Sequence, residues 1–370
     1  MKLAAPRDLF LARLQLAASV CPTRTPREIL KDVRIEVPED GRVEFLGTDQ
    51  EISVRTALVH EGVSGSGVTA LPAATLLSAL KELPGDLVEI EESGNQHVLT
   101  GGSAVFKLYA DDPIEFPSIP TTDMSRAARV PLDGFLDLCQ RTMFAAAKEM
   151  GRYAFNGVLL ELGAEDLALV ATDGRRLSMA RLTCTTGAPE MRSKIVPIKA
   201  LQQLMRAAEP ETNDLRIDLR ESQVTFGIGP TEIVAQLIDG EFPDYKAVIP
   251  KGQPHEVVIA RDELASAIRR AAVTAGEESR SVELGFRKGQ LTVTSRAEGL
   301  GESKSELDVE YDGPAVDVRF NPDFVSEYLR SVPEERVRFS FVDGKAAGLF
   351  SSVVEDGAYD ARYVVMPITS

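Results

Sequence analysis

Phe155-Asn-Gly-Val-Leu-Leu-Glu-Leu-Gly-Ala-Glu-Asp-Leu-Ala-Leu-Val-Ala-Thr-Asp-Gly-Arg-Arg-Leu177 is a three-strand meander written in 23 residues. Gly157–Leu162 and Leu167–Thr172 are short, Val- and Leu-rich runs, and Gly-Ala-Glu-Asp between them is a turn. Asp173-Gly174 makes a second turn, because Gly tolerates positive φ and Asp bonds its own backbone. Arg175-Arg176-Leu177 opens the third strand, which places two guanidinium groups beside an apolar rim.

The same pattern stands on both sides of this stretch. Upstream, Val33–Val37, Arg42–Thr48 with Asp49, and Ile52–Val59 repeat strand, turn, strand ending in Thr-Asp, strand. Downstream, Val282–Phe286, Gln290–Thr294 and Ser303–Val309 repeat it again, with Ser295-Arg296 in place of the Asp turn. Thr48, Thr172 and Thr294 are therefore equivalent positions, spaced by about 124 and 122 residues. That period is one domain long, so the 370 residues read as one domain written three times, over 1–124, 125–252 and 253–370.

Each unit splits into two halves in which a helix alternates with short strands. In the first unit, residues 7–20 are helical, with Phe10, Leu14, Ala17 and Ala18 on one face and Leu9, Leu16 and Val20 on the other. After the meander and a Gly/Ser loop come Val68–Leu71, a helix Ala73–Leu83 behind Pro72, and strands Leu87–Glu91, His97–Thr100 and Ala104–Leu108. The second unit repeats this with helices Asp133–Ala147 and Ile198–Ala208 and strands Leu215–Leu219, Gln223–Gly227 and Glu232–Leu237. The third has helices Arg261–Ala271 and Pro322–Ser331 and strands Val316–Phe320, Val337–Phe341, Lys345–Phe350 and Tyr363–Met366. Six helices and many antiparallel strands predict an α+β architecture with helices on one face and sheets on the other.

Composition narrows the function classes. With 44% hydrophobic and 26% charged residues the chain is globular throughout, and no run approaches the roughly 18 to 20 apolar residues of a membrane helix. The start, Met-Lys-Leu-Ala-Ala-Pro-Arg-Asp, has no signal-type apolar core, so a cytoplasmic location with no membrane partner is expected. Cys21, Cys139 and Cys184 are odd in number and far apart, which fits reduced thiols. His60, His97 and His255 lack ligand spacing, so no metal is expected. Gly65-Ser66-Gly67 and Gly299-Leu300-Gly301 lack the Lys-Ser/Thr of a phosphate loop. Neither Asp111-Asp112 nor Asp173 has a second carboxylate at i+2 on a strand, as a metal nuclease would, so no catalysis and no cofactor are expected.

Asn156-Gly157 with Ala171-Thr172-Asp173-Gly174, the run Asp239-Gly240-Glu241-Phe242-Pro243-Asp244-Tyr245, and Tyr363-Val364-Val365-Met366-Pro367 together resemble the bacterial DNA polymerase III β subunit, the sliding clamp, along the whole chain. The resemblance implies three clamp domains, each with two helices on an inner face and antiparallel sheets outside, forming a ring as a head-to-tail homodimer. It implies a processivity factor that encircles double-stranded DNA without reading sequence. Its partners would be the replicative polymerase, an ATP-driven clamp loader, and other polymerases and repair proteins that carry short clamp-binding peptides.

A net charge of −16 argues against a DNA partner until the charges are placed. The helical stretches carry Arg13, Lys81, Arg141, Lys199, Arg206, Arg269, Arg270 and Arg330, while Glu89, Glu91, Glu92, Glu302, Glu306 and Asp308 fall in strands and loops. Helices lining a hole would give a mildly basic lumen inside an acidic shell. Six helices about 10 Å apart enclose a lumen of only about 10 Å, too narrow for a duplex of about 20 Å, whereas twelve enclose about 28 Å. Two chains are required. The rival reading is a monomeric acidic repeat scaffold that binds peptides without encircling DNA.

The resemblance also carries site residues. A peptide pocket is implied at Phe155, Thr172, Gly174, Arg175, Arg176, Leu177, Pro243, Val248, Val364, Val365, Met366, Pro367 and Ile368. Arg175 stands where the family frequently has His, and Ala247 where it frequently has Arg. DNA contacts are implied for Arg24, Lys148, Arg152 and Tyr153, with Lys81, Lys199, Arg206 and Arg270 added from the helices. At the dimer interface, Phe106 and Leu108 are expected to meet Val273 and Thr274 of the other chain.

Overall fold

The computed structural model describes residues 1–39, 41–60, 62–148, 153–276, 280–353 and 359–369. Seven α-helices lie among the described residues: α1 Arg7–Ala18, α2 Ala73–Glu82, α3 Leu132–Thr142, α4 Ile198–Ala207, the single turn α5 Tyr245–Val248, α6 Arg261–Ala272 and α7 Pro322–Ser331. The chain divides into two compact units, residues 1–132 with 199–237 and residues 133–198 with 238–370.

The first unit holds a five-stranded and an eight-stranded antiparallel sheet. Its core joins α1 and α2 to the inner faces of both sheets through Phe10, Leu14, Ile35, Phe45, Leu76 and Ile90, all fully or almost fully buried. Phe10 and Phe45 meet edge to face at 4.7 Å, and burying a ring of this size contributes roughly 2–3 kcal/mol. Gly47 lets α1 close on the sheet, since a Cβ there would fall 1.9 Å from the Ala17 carbonyl oxygen. Of the second face expected for α1, Leu16 and Val20 are buried but Leu9 is 52% exposed.

The second unit has an eight-stranded and a four-stranded antiparallel sheet. α6 and α7 pack on a core rich in aromatics, where Phe286, Phe339, Phe341, Phe350 and Tyr363 are fully buried. α7 starts cleanly because Asn321 accepts from the Asp323 amide at 2.9 Å and Pro322 takes the first helical position, where no N–H is needed.

Several expected boundaries change. Lys2–Pro6, Ala128–Pro131 and His255–Ala260 are strands that lead into the first helix of each repeat, none of which the sequence reading placed. Each is short and pairs with a remote segment, Lys2–Pro6 with Leu87–Glu91 for example, so its partner is invisible locally. The helix expected over Asp133–Ala147 ends at Thr142, whose hydroxyl donates back to the Leu138 carbonyl, and a tighter turn follows over Met143–Ala145. The strand expected from Lys345 begins at Gly348, because the Asp343 carboxylate holds the Lys345 and Ala346 amides in a turn.

One buried carboxyl sits beneath the segment that leaves the first repeat. Asp32 is 2% exposed, beside Asp111 at the bridge between Asp111 and Ala70. Burial first, then the Asp111 charge and hydrogen bond, push the Asp32 carboxyl up to about 7. A carboxyl that holds its proton more tightly folded than unfolded stabilises the fold below about pH 4 and loses that contribution as pH rises through 7. Asp32→Asn is therefore expected to gain on the order of 1–3 kcal/mol at pH 8 and nothing at pH 4. Urea unfolding at the two pH values checks this; an equal change at both would remove the ionisation from the account.

Candidate functional site

Two turns repeat atom for atom and confirm the internal periodicity. At Thr172–Arg176 the threonine hydroxyl donates to the Arg176 carbonyl at 2.6 Å and accepts from the Gly174 amide at 3.1 Å, while Asp173 Oδ1 accepts from the Arg175 and Arg176 amides. At Thr48–Ile52 the threonine bonds the Ile52 carbonyl and the Gln50 amide, and Asp49 Oδ1 the Glu51 and Ile52 amides. Gly174 has φ 85° and Gln50 has φ 77°, so the second copy keeps the left-handed turn without the glycine. The third copy departs, because Gln290–Ala297 runs straight through Thr294 and its turn comes three residues later.

The strands after these turns, Ile52–Val59, Arg176–Thr183 and Gly301–Asp308, are each eight residues long and each end on a buried and then an exposed position. They put equivalent residues side by side. On the outer face of the second unit, Leu159, Val170, Leu177, Met179, Ile195 and Val364 form an aliphatic cluster with Tyr245 and Ile249 of the loop that carries α5. Registers match strand for strand, Leu177 facing Val364 as Ser53 faces Val234. The corresponding positions of the first unit are Arg34, Leu46, Ser53, Arg55 and Ala70, and there Arg34 pairs with Glu36 and Arg55 with Glu44. In the third copy Glu302 and Lys304 replace Leu177 and Met179. Among the described residues, the second of the three copies keeps the apolar surface at these positions.

Of the expected pocket residues, Leu177 and Val364 belong to this cluster, Phe155 lies beside Gly174, and Ile368 donates its amide to the Arg319 carbonyl. Val248 is 47% and Met366 46% exposed, Pro243, Gly174 and Arg175 are exposed, and Phe155, Pro367 and Ile368 are half-buried. The Met366 amide donates to the Arg175 carbonyl at 3.0 Å, fixing the chain end to the turn. Leu177 and Val364 form the floor.

Two expected pocket side chains face the other way. Side chains alternate along a strand, so Arg176 and Val365, which pair with each other, turn to the inner core while Leu177 and Val364 turn outward. Of the two arginines, Arg175 is the exposed one. Arg176 has a 3% exposed side chain and is held by Asp173 at 3.0 Å, by Glu327 of α7 at 2.5 Å and by the Phe144 carbonyl at 2.8 Å, with the Phe324 ring 4.4 Å below it. Leu159, Val170, Met179, Ile195 and Tyr245 were missed by the sequence reading. Val170 and Met179 stand two residues from Thr172 and Leu177 on the same strand face, so the period-two alternation finds them, whereas Leu159 and Ile195 are reached only through strand pairing and Tyr245 lies in the turn α5.

The expected DNA residues divide into two kinds. Arg24, Lys81 and Arg206 are exposed, with no ion-pair partner among the described residues. Lys148 pairs with Glu327 at 2.9 Å, Lys199 with Asp49, and Arg270 donates to Ser266 and Ser305. Arg152 and the Tyr153 side chain lie outside the described residues. At the expected interface, Val273 is 77% exposed and Phe106 and Thr274 are half-buried, while Leu108 is 8% exposed. Ala104–Tyr109 and Gly301–Asp308 are both sheet edges.

Repeated helix-and-sheet domains joined through antiparallel sheets define the class, an α+β repeat protein. Comparison with known proteins gives the family. The N-terminal, central and C-terminal domains of the DNA polymerase III beta subunit match residues 1–120, 129–244 and 246–369. The beta sliding clamp of Escherichia coli is 31% identical over 374 residues, covering 100% of both chains, and that of Chlamydia muridarum is 30% identical over 371 residues, covering 100% of this chain and 99% of that one. The crystal structure of the Pseudomonas aeruginosa beta subunit superposes with a TM-score of 0.92 at 30% identity over the whole of both chains. A second Pseudomonas structure, bound to griselimycin, gives 0.94 at 30% identity, again over the whole of both chains. This chain belongs to the DNA polymerase III beta subunit family, and its function is that of a DNA sliding clamp, a non-catalytic subunit of the replicative polymerase.

Proposed function

We propose that two copies of this chain close head to tail into a ring around duplex DNA, and that the aliphatic groove at Leu177, Val364 and Met366 takes the apolar anchors of short partner peptides. The observation that carries the ring is which sheet edges are already joined. Ile52–Val59, the last strand of the first meander, is paired with Thr231–Gln236, the last strand of the second repeat. Arg176–Thr183, last of the second meander, is paired with Tyr359–Val365, last of the third repeat. By the same rule Gly301–Asp308 takes Ala104–Tyr109, and of these six last strands they are the two that lie at a sheet edge without such a partner. Joined within one chain they would enclose only six long helices, too few for a duplex. Joined between copies they make a heterologous contact that closes on itself after two. An edge strand with Val105 and Tyr109 exposed is also an aggregation hazard unless something pairs with it, which weighs against the monomeric scaffold.

Register follows from the equivalences. Ile52 faces Ala235 and Thr56 faces Thr231, so Gly301 is expected opposite Leu108 of the second copy and Ser305 opposite Ala104. A chain carrying both Ala104→Cys and Ser305→Cys should oxidise to a covalent dimer of about 80 kDa, twice the 40.1 kDa chain. Failure to cross-link at micromolar concentration, with intact folding, would reject the pairing.

Domain divisions fall at 124/125 and 252/253. DNA is held by topology and touched through Arg24, Lys81, Arg206 and Arg270, together with Lys148 and Lys199. The lysine pairs are surface ion pairs worth about 0–1 kcal/mol, which a phosphate displaces readily. Such contacts read no bases. The groove serves the replicative polymerase, the clamp loader and other polymerases and repair proteins in turn, in the cytoplasm and without a membrane. Burying a Leu-sized anchor in it contributes about 2 kcal/mol per side chain, enough for exchangeable partners.

A further inference from the structure

Glu327 lies on α7, away from the aliphatic groove, yet its two carboxylate oxygens hold two different cations. Oε2 accepts from Arg176 at 2.5 Å and Oε1 from Lys148 at 2.9 Å. Hydrogen bonds from both, with the Arg176 charge, hold its carboxyl below the ordinary range against the cost of its partial burial. The two cations face different surroundings. The Lys148 side chain is 74% exposed, and the Arg176 side chain is 3% exposed. From Arg176 the chain of contacts continues to Asp173 Oδ2 at 3.0 Å, and Asp173 Oδ1 holds the amides of Arg175 and Arg176. The Arg175 carbonyl receives the Met366 amide. A row of four alternating charges thus runs from an exposed lysine to the turn that forms the groove's rim.

We propose that Glu327 is a positioning residue for the peptide groove and couples it to Lys148, so that an anion such as a DNA phosphate that draws Lys148 away tightens peptide binding. The inference rests on the groove being the peptide site. Physically, Glu327 divides its negative charge between two donors. When Lys148 leaves for a phosphate, both oxygens are free for Arg176, whose guanidinium presents paired donors suited to a two-point grip. Arg176 is then fixed more firmly, Asp173 with it, and the 172–175 turn loses motion that peptide binding would otherwise have to remove. By reciprocity, a peptide in the groove favours release of Lys148 toward phosphate by the same factor.

Lys148→Ala imitates the lysine withdrawn, and because that side chain is exposed the substitution leaves folding intact. The probe is a fluorescein-labelled, Gln-Leu-rich polymerase peptide titrated with the full-length dimer and read by anisotropy. Lys148→Ala is expected to tighten the peptide two- to threefold, Glu327→Gln to weaken it about tenfold, and the double variant to match Glu327→Gln alone, because Lys148 acts only through Glu327. A purely structural Glu327 predicts no effect of Lys148→Ala on the peptide. That result, or an effect of Lys148→Ala that persists in the Glu327→Gln background, overturns the coupling. Met366→Asp is the control. If it leaves the peptide bound, the groove itself is misassigned; if it abolishes binding while the two other variants do nothing, only the coupling fails.

Discussion

Met366→Asp is expected to weaken a Gln-Leu-rich polymerase peptide by at least about thirtyfold, a loss of roughly 2 kcal/mol or more typical of removing an anchor contact. The substitution suits the test because Met366 is 46% exposed and lies beyond the last strand, so the fold does not depend on it. In the groove the situation differs. Leu177 and Val364 form an aliphatic floor, and a carboxylate beside them must be desolvated when an apolar peptide side chain closes over it. Removing residues 366–370 goes further and should abolish binding, since it deletes the thioether and the backbone bonds of Met366 to Arg175 and of Ile368 to Arg319. Both variants should remain dimers, because residues 366–370 belong to neither strand of the proposed pairing between chains. Anisotropy with the labelled peptide measures the first effect and light scattering the second. Unchanged peptide affinity in the deletion would remove the assignment of the groove.

Val273→Asp is expected to convert a species of about 80 kDa at micromolar concentration into one near the 40.1 kDa of a single chain. Val273 follows α6 and is 77% exposed, so in an isolated chain an aspartate there costs nothing in packing. Against Phe106 of a second copy, the same carboxylate would be buried without a partner, at a cost of several kcal/mol. A two-chain ring has two such interfaces, and each carries the substitution once. Sedimentation of the variant, with its circular dichroism unchanged, provides the check. A variant that stays at about 80 kDa would mean that Val273 lies outside the interface.

What could be read from the residues alone depended on whether the information was local. The Thr48-Asp49 and Thr172-Asp173 turns were legible because both side chains bond backbone groups within four residues, and the repeat followed from them. The helices α6 and α7 and the meander strands were legible through their periodicity, and α7 also through Pro322 at its start. Lys2–Pro6 and His255–Ala260 were not, since each is defined by hydrogen bonds to a strand more than 75 residues away. In the groove, the turn and the chain end were legible, but the direction of Arg176 was not. Reading Arg175-Arg176 as a pair at the rim overlooked that neighbours on a strand face opposite sides, and that Glu327, 151 residues later, waits on the inner side. Charge pairing was equally hidden. Lys199 and Asp49 lie 150 residues apart, so no local pattern shows that this lysine already holds a carboxylate.

Retention on circular against linearised DNA tests the ring most directly. After loading, in salt high enough to suppress ordinary phosphate contacts, the protein should stay on the closed circle and be lost from the free ends of the linear form. Equal loss from both would mean that DNA is held only electrostatically, and would contradict encirclement.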